Sequence, residues 1–280
     1  MNATVSSQYF SGRRFVAALR RDWRMNRDGW AVRVLAMLGV MALLETGLAW
    51  FVHKVVATDE AYSLGAAVAE RTALSFLCLM CFSVFLMLGA SRFHSGYGTP
   101  GMRLNELMNP ASTLEKFVVR MLTCIVGVTL ATALCWEVSD FLRGTMMRLW
   151  FGSASVAGHV SVIDAISNVQ LELTGATTFT LASLFGWQAV YALGSCFFPK
   201  HSFLKTMGAV CVVEFVYGMA AGFSTSLFFD PEGRQLNEHL SLSDFSWMPD
   251  AVTVFFVCLA VGSYALCYMR MREDEMIDRM

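Results

Sequence analysis

Two carboxylates sit deep inside long apolar runs: Glu45 in Leu43-Leu44-Glu45-Thr46-Gly47-Leu48, and Glu214 in Cys211-Val212-Val213-Glu214-Phe215-Val216. An ionisable group costs a few kcal/mol to place in a hydrocarbon medium, so it marks a proton or ion pathway unless a neighbour explains it. The alternative is a structural carboxyl, protonated or hydrogen-bonded to a neighbouring helix, with Gln188 in another apolar run as a partner. Residue types alone leave both readings open for these three intramembrane polar candidates.

The other chemistry-bearing side chains form no constellation. Cys78-Leu-Met-Cys81 has redox or metal spacing, yet no second pair and no histidine accompanies it. All eight cysteines lie in or beside apolar runs, where a free thiol behaves as a small hydrophobe. The histidines (53, 94, 159, 201 and 239) are scattered, with no two at helix-face spacing. A phosphate-binding loop of the Walker kind needs Gly-Lys followed by Ser or Thr, whereas the four lysines here follow His53, Glu115, Pro199 and Leu204. The sequence therefore predicts no enzyme, no cofactor and no metal, and any nucleotide must be held by another chain. A net charge of −1 also speaks against a nucleic-acid partner.

Positioning these residues requires membrane spans. Only 15% of the 280 residues are charged, against roughly 25% in soluble domains. Runs of about 20 apolar residues, the length that crosses the hydrocarbon core as helix, recur six times. The predicted fold is all-α and polytopic, with spans at about 30–52, 72–90, 117–136, 176–198, 206–229 and 249–269. The transmembrane domain occupies 30–271, followed by a cytoplasmic tail at 272–280. Ahead of it, residues 1–29 hold an amphipathic helix: Phe15, Leu19 and Trp23 repeat every fourth residue, and Arg13, Arg14, Arg20, Arg21, Arg24 and Arg27 supply a polar face. Such a helix lies in the headgroup plane against anionic lipid. These residues contain no apolar stretch ending in small residues, so no cleaved signal peptide is expected.

Basic residues in short loops set orientation. With the N-terminus inside, fifteen Lys and Arg fall on the cytoplasmic side and five, Lys54, Arg71, Arg143, Arg148 and Arg234, on the other. Both termini are accordingly expected in the cytoplasm of a bacterial inner membrane. Arg33 and Arg120, near cytoplasmic span ends, are expected to snorkel.

The connection between the second and third spans lies on that cytoplasmic side. Gly96, Gly98, Pro100 and Gly101 break the helix, and Met102 to Met108 can form a short amphipathic helix with Leu104, Leu107 and Met108 on one side. Asn109-Pro110 ends it, and Ser112 stands three residues before Glu115, the spacing of a capping box. Such a loop is either an ordinary connection or a surface that presses on a partner.

Residues 109 to 120, Asn-Pro-Ala-Ser-Thr-Leu-Glu-Lys-Phe-Val-Val-Arg, resemble an "LPAS-LEKF--R" signature of Bacteroidetes membrane proteins described as type-2 ABC transporter permease-like. Gly194 to Thr206 is similar to that group's second cytoplasmic turn, and Ser91-Arg92-Phe93 ahead of the first motif agrees. Asn109 departs from the apolar residue of the pattern. The specific motifs cover about 25 residues.

The resemblance implies a permease subunit of an ABC exporter, paired with a separate cytosolic ATPase and with a second copy or a related permease. It implies an N-terminal amphipathic helix (9–28), a coupling helix (102–108) and an extracellular element (230–248). Partner contacts then fall on Arg103, Leu104, Leu107, Met108, Glu115 and Lys116. Two further functions remain: a membrane scaffold without transport, and an ion-coupled secondary carrier using Glu45 and Glu214. Carriers of that size more often show internal repeats and spans broken by Gly or Pro.

Overall fold

In an apolar medium the backbone must satisfy its own hydrogen bonds, and runs of Leu, Val, Met, Phe and Ala do so as helix. A computed structural model describes residues 10–56, 63–95, 101, 104, 108, 111–151, 158–168, 176–198, 200–228 and 248–277. The helices are α1 (Gly12–Val56), α2 (Ser63–Ala90), α3 (Thr113–Met121), a π-helical turn (Leu122–Gly127), α4 (Val128–Phe151), α5 (Val162–Asn168), α6 (Ala176–Phe197), α7 (Ser202–Phe228) and α8 (Met248–Ile277). No strand occurs among the described residues.

Among the described residues, five stretches are long and apolar enough to cross a membrane: Gly12–Val55, Glu70–Ala90, Thr113–Phe151, Ser202–Ala220 and Asp250–Asp274. The chain is an all-helical, multi-pass membrane protein. The six-span expectation differs at 176–198, which is helical as α6 but is not among the five. Gln188, Thr177, Thr178, Thr180, Ser183 and Ser195 lower its hydropathy. The physical reason is position: α6 lies between α2 and α8, with Gln188, Ala189, Tyr191, Ala192, Ser195 and Cys196 all buried. A helix that faces protein more than lipid can carry polar side chains.

Two other boundaries move. The amphipathic segment and the first span are one unbroken helix of 45 residues rather than two elements meeting near Gly29. At 1.5 Å per residue that rod is about 68 Å long, roughly twice the hydrocarbon thickness. Its first turns pack on α3, where Ala18 meets Ala111 and Val119, with Phe15 and Leu19 alongside. The third span also outruns its expected end at 136: α3, the π turn and α4 make one rod of 39 residues.

Chain direction defines two ends of the bundle. The starts of α1, α3 and α7 and the ends of α2, α6 and α8 gather at what we term the N-terminal end, and the reverse set makes the far end. α1 runs beside α3 and α4, α6 pairs most extensively with α8, and α2 bridges the two pairs. At the N-terminal end Phe93, Tyr191, Cys196, Cys267 and Met271 form one buried cluster, and His94 Nε2 lies 3.1 Å from Asp274 Oδ2, joining α2 to α8. α7 packs chiefly on α6. The approach there is close: a Cβ on Gly194 would strike the Thr206 side chain.

Around the outside, Leu43, Phe51, Met80, Leu134, Val213 and Phe255 are exposed, as a lipid-facing surface requires.

Candidate functional site

The densest polar cluster lies at the far end, where the chain after α4 turns back into the bundle. α4 continues past Trp136 and places Glu137, Asp140 and Arg143 on successive turns, with Asp140 and Arg143 buried. Arg143 Nε and Nη2 donate to Asp140 Oδ1 at 3.0 and 2.7 Å. Nη2 also donates to the Gly158 carbonyl at 3.1 Å, and Nη1 lies 3.5 Å from Glu70 Oε1 of α2. All three charged side chains are 2% exposed, so the guanidinium is what permits two carboxylates at that depth.

The returning segment is fastened through its backbone. Trp136 Nε1 donates to the Val160 carbonyl at 2.8 Å, and the Val162 N–H donates to Glu137 Oε1 at 3.2 Å. Ser161 starts α5: its Oγ accepts from the Asp164 N–H at 3.0 Å, while Asp164 Oδ2 accepts from the Ser161 hydroxyl at 2.8 Å. Ala165 then reaches the core made by Met37, Met41, Cys78, Cys135 and Trp136. Non-helical backbone is tolerated at such places because protein groups satisfy it.

His159 stands at the mouth of this cluster, 58% exposed, with Nδ1 2.5 Å from Asp140 Oδ2 and Nε2 3.1 Å from Glu137 Oε2. The hydrogen bond to Asp140 raises its pKa from the ordinary histidine value, and the charges of Asp140, Glu137 and Asp164 add to this against partial burial. Asp164 is held below the usual carboxylate range, chiefly by the Ser161 hydroxyl and N–H. Chemically the arrangement can hold a proton between two carboxylates. No group of His, Cys, Asp and Glu able to hold a metal occurs among the described residues.

By hydropathy alone, residues 137 to 174 read as an extramembrane stretch whose first half can prolong the third helix, as it does in α4, and the cluster goes unseen. Two signals nevertheless point to it: the helix-spaced Glu137, Asp140 and Arg143, and the Ser161-x-x-Asp164 cap.

Of the intramembrane candidates, Glu45 is fully buried on α1 and accepts a hydrogen bond from Ser139 Oγ of α4. The expected link to Gln188 is not made: Gln188 is fully buried in α6, and neither of its amide atoms has a hydrogen-bond partner. The helix order explains this, because α1 pairs with α4 while α6 faces α2 and α8. Glu214 is exposed on α7, among Val212, Val213, Phe215 and Val216, which are exposed too. The structure therefore separates Glu45 from Glu214 rather than joining them in one relay.

The expected partner-contact residues divide. The Met108 N–H donates to the Leu104 carbonyl at 2.9 Å, one helical turn, and both side chains are strongly exposed, 63% for Leu104 and 82% for Met108. Arg103 and Leu107 lie outside the described residues, as does the expected extracellular element at 230–248 except for Met248, which opens α8. Glu115 and Lys116 are buried instead, so neither offers a contact surface. Glu115 completes the capping box with Ser112, and its Oε1 also accepts from the Ser11 N–H at 2.7 Å and lies 3.3 Å from Arg14 Nη2. The residue thus clasps the start of α1 to the start of α3. Cys78 and Cys81 are buried free thiols, as a packing role requires.

No family model, no curated protein and no solved structure matches the chain.

Proposed function

We propose that this chain is the six-span permease subunit of an ABC-type exporter in a bacterial inner membrane, energised by a separate cytosolic ATPase. One observation carries the reading. The Leu104–Met108 turn presents two apolar side chains to the outside at the end of the bundle richest in arginine. Exposed apolar groups at an aqueous surface suit a protein partner. The helix beyond the turn gives it mechanical leverage. The Ser112–Glu115 box starts a 39-residue helical rod that reaches the far end, and Glu115 ties that rod to α1. A push on the turn would move α1 and α3–α4 together against α2 and α6.

In this reading both termini are cytoplasmic and α6 is the sixth span, shielded from lipid by its neighbours. The exposed α7, with Glu214 among apolar side chains that lipid alone would surround, is where a second permease copy would pack, because a carboxylate facing hydrocarbon is costly.

Co-purification of the chain with a cytosolic ATPase from its own cells tests the proposal. Leu104→Asp with Met108→Asp should abolish retention of the ATPase while the melting temperature stays unchanged. Retention of some other protein, with no ATPase, would favour a scaffold. Unaltered ATPase retention by the double variant would refute the role of the turn.

A further inference from the structure

A second site lies at the N-terminal end, where α1, the end of α2 and the α3–π junction enclose a cavity of about 370 Å3. Its polar rim holds three guanidinium groups, Arg33, Arg92 and Arg120, and one carboxylate, Asp22. Three positive charges against one negative leave the rim at +2. Its deeper wall is apolar, with Phe85, Leu88 and Val128.

Arg33, half-buried, and Arg92, exposed at the rim, differ from the buried charges of the ion pairs described above. Arg143, Glu70, Asp140 and Glu115 all sit within 4 Å of an opposite charge. Among the described residues no carboxylate lies within that distance of Arg33 or Arg92. Arg33 instead lies over the Trp30 ring, 5.5 Å from its centroid, so its guanidinium is held in place with its donors still available. The wall opposite is the π turn, which includes Thr123 and Cys124. An inserted residue of this kind widens a helix and often marks a binding site.

Depth selects the ligand. Trp30 opens the apolar run of α1, so the rim stands where hydrocarbon gives way to headgroups, and aromatic side chains favour that level. A ligand that places an anion between two guanidiniums and carbon chains against Phe85 and Leu88 is a lipid with an anionic head. Guanidinium forks match phosphate oxygens in pairs, and basic pockets between spans bind such heads. We propose that this cavity binds an anionic phospholipid, with Arg33 and Arg92 on the phosphate and the start of the acyl chains along the α2 wall. Arg120, which has a partner of its own, and Asp22 then set the rim's net charge rather than grip the ligand.

The test uses the full chain in detergent, with phosphatidylglycerol, phosphatidylcholine and inorganic phosphate as probes, followed by native mass spectrometry and thermal shift. Phosphatidylglycerol should bind saturably and raise the melting temperature, while phosphatidylcholine and inorganic phosphate should not. Arg33→Ala with Arg92→Ala should weaken phosphatidylglycerol at least tenfold, and Arg148→Ala, at the far end, should leave it unchanged. Should the double variant fail to fold, Arg92→Ala alone, at an exposed position, must still weaken binding by threefold or more. Affinity within twofold of the parent in these variants overturns the site. Equal binding of inorganic phosphate would overturn the lipid assignment, and equal binding of phosphatidylcholine would overturn the role of the head charge.

Discussion

Replacing Arg143 by Met removes the one cation shared by Glu70 and Asp140 while keeping most of the side-chain volume. Both carboxylates are 2% exposed, and they lie on different helices, α2 and α4. The lost contacts are two donations to Asp140, one to the Gly158 carbonyl and the pairing with Glu70. Breaking a buried ion pair from one side costs about 3–5 kcal/mol, most of it the uncompensated charge left behind. With about 2–4 °C of melting temperature per kcal/mol for chains of roughly this size, the expected drop is about 6–20 °C. The assay is thermal unfolding of the purified protein in detergent, followed by tryptophan fluorescence, to which Trp136 beside Val160 contributes. The triple variant Arg143→Met, Glu70→Gln, Asp140→Asn removes the stranded charges and should recover at least half of the loss. A single variant within about 1 kcal/mol of the parent, or a triple variant no better than the single, would refute this account of the cluster.

A pH dependence arises from His159, whose pKa in the folded chain is raised above the ordinary value of 6.5 by its hydrogen bond to Asp140. A raised pKa means that the protonated form is the stabilising one. The contribution is complete below the unfolded value and is lost as pH rises through the folded one. Limited proteolysis near residue 159 should accelerate as pH rises across that window and become flat in His159→Ala; the same slope in the variant would exclude His159 as its source. Gln188→Leu should hold or raise stability by about 1 kcal/mol, since it removes two buried amide atoms that have no hydrogen-bond partner. A melting temperature clearly below the parent's would show that the amide is satisfied by a group outside the chain.

The capping box was legible from Ser112 and Glu115 alone, and the structure forms it. What spacing could not show is that the same carboxylate also holds Ser11 and Arg14, 104 and 101 residues away in sequence, and is therefore withdrawn from the surface. The pairing of Glu45 was equally out of reach. Depth along α1 can be counted, but whether Gln188 or Ser139 faces it depends on which helices are neighbours.

Composition and the lengths of apolar runs determined that this is a helical membrane protein, because a medium without hydrogen-bond partners admits little else. They placed the apolar part of each span and gathered the basic side chains at one end, but not the continuation of α1 back to Gly12, the extension of α4 to Phe151 or the short α5. Only the tertiary arrangement decided which helices are enclosed. That let α6 carry polar side chains while α7 stayed exposed, turned residues 158–168 back into the bundle, and set Arg143 between Glu70 and Asp140. The physical reason is that hydropathy reports the cost of leaving water, averaged over a helix. Charge compensation and cavity shape depend on contacts between residues far apart in sequence, and no single run of residues encodes them.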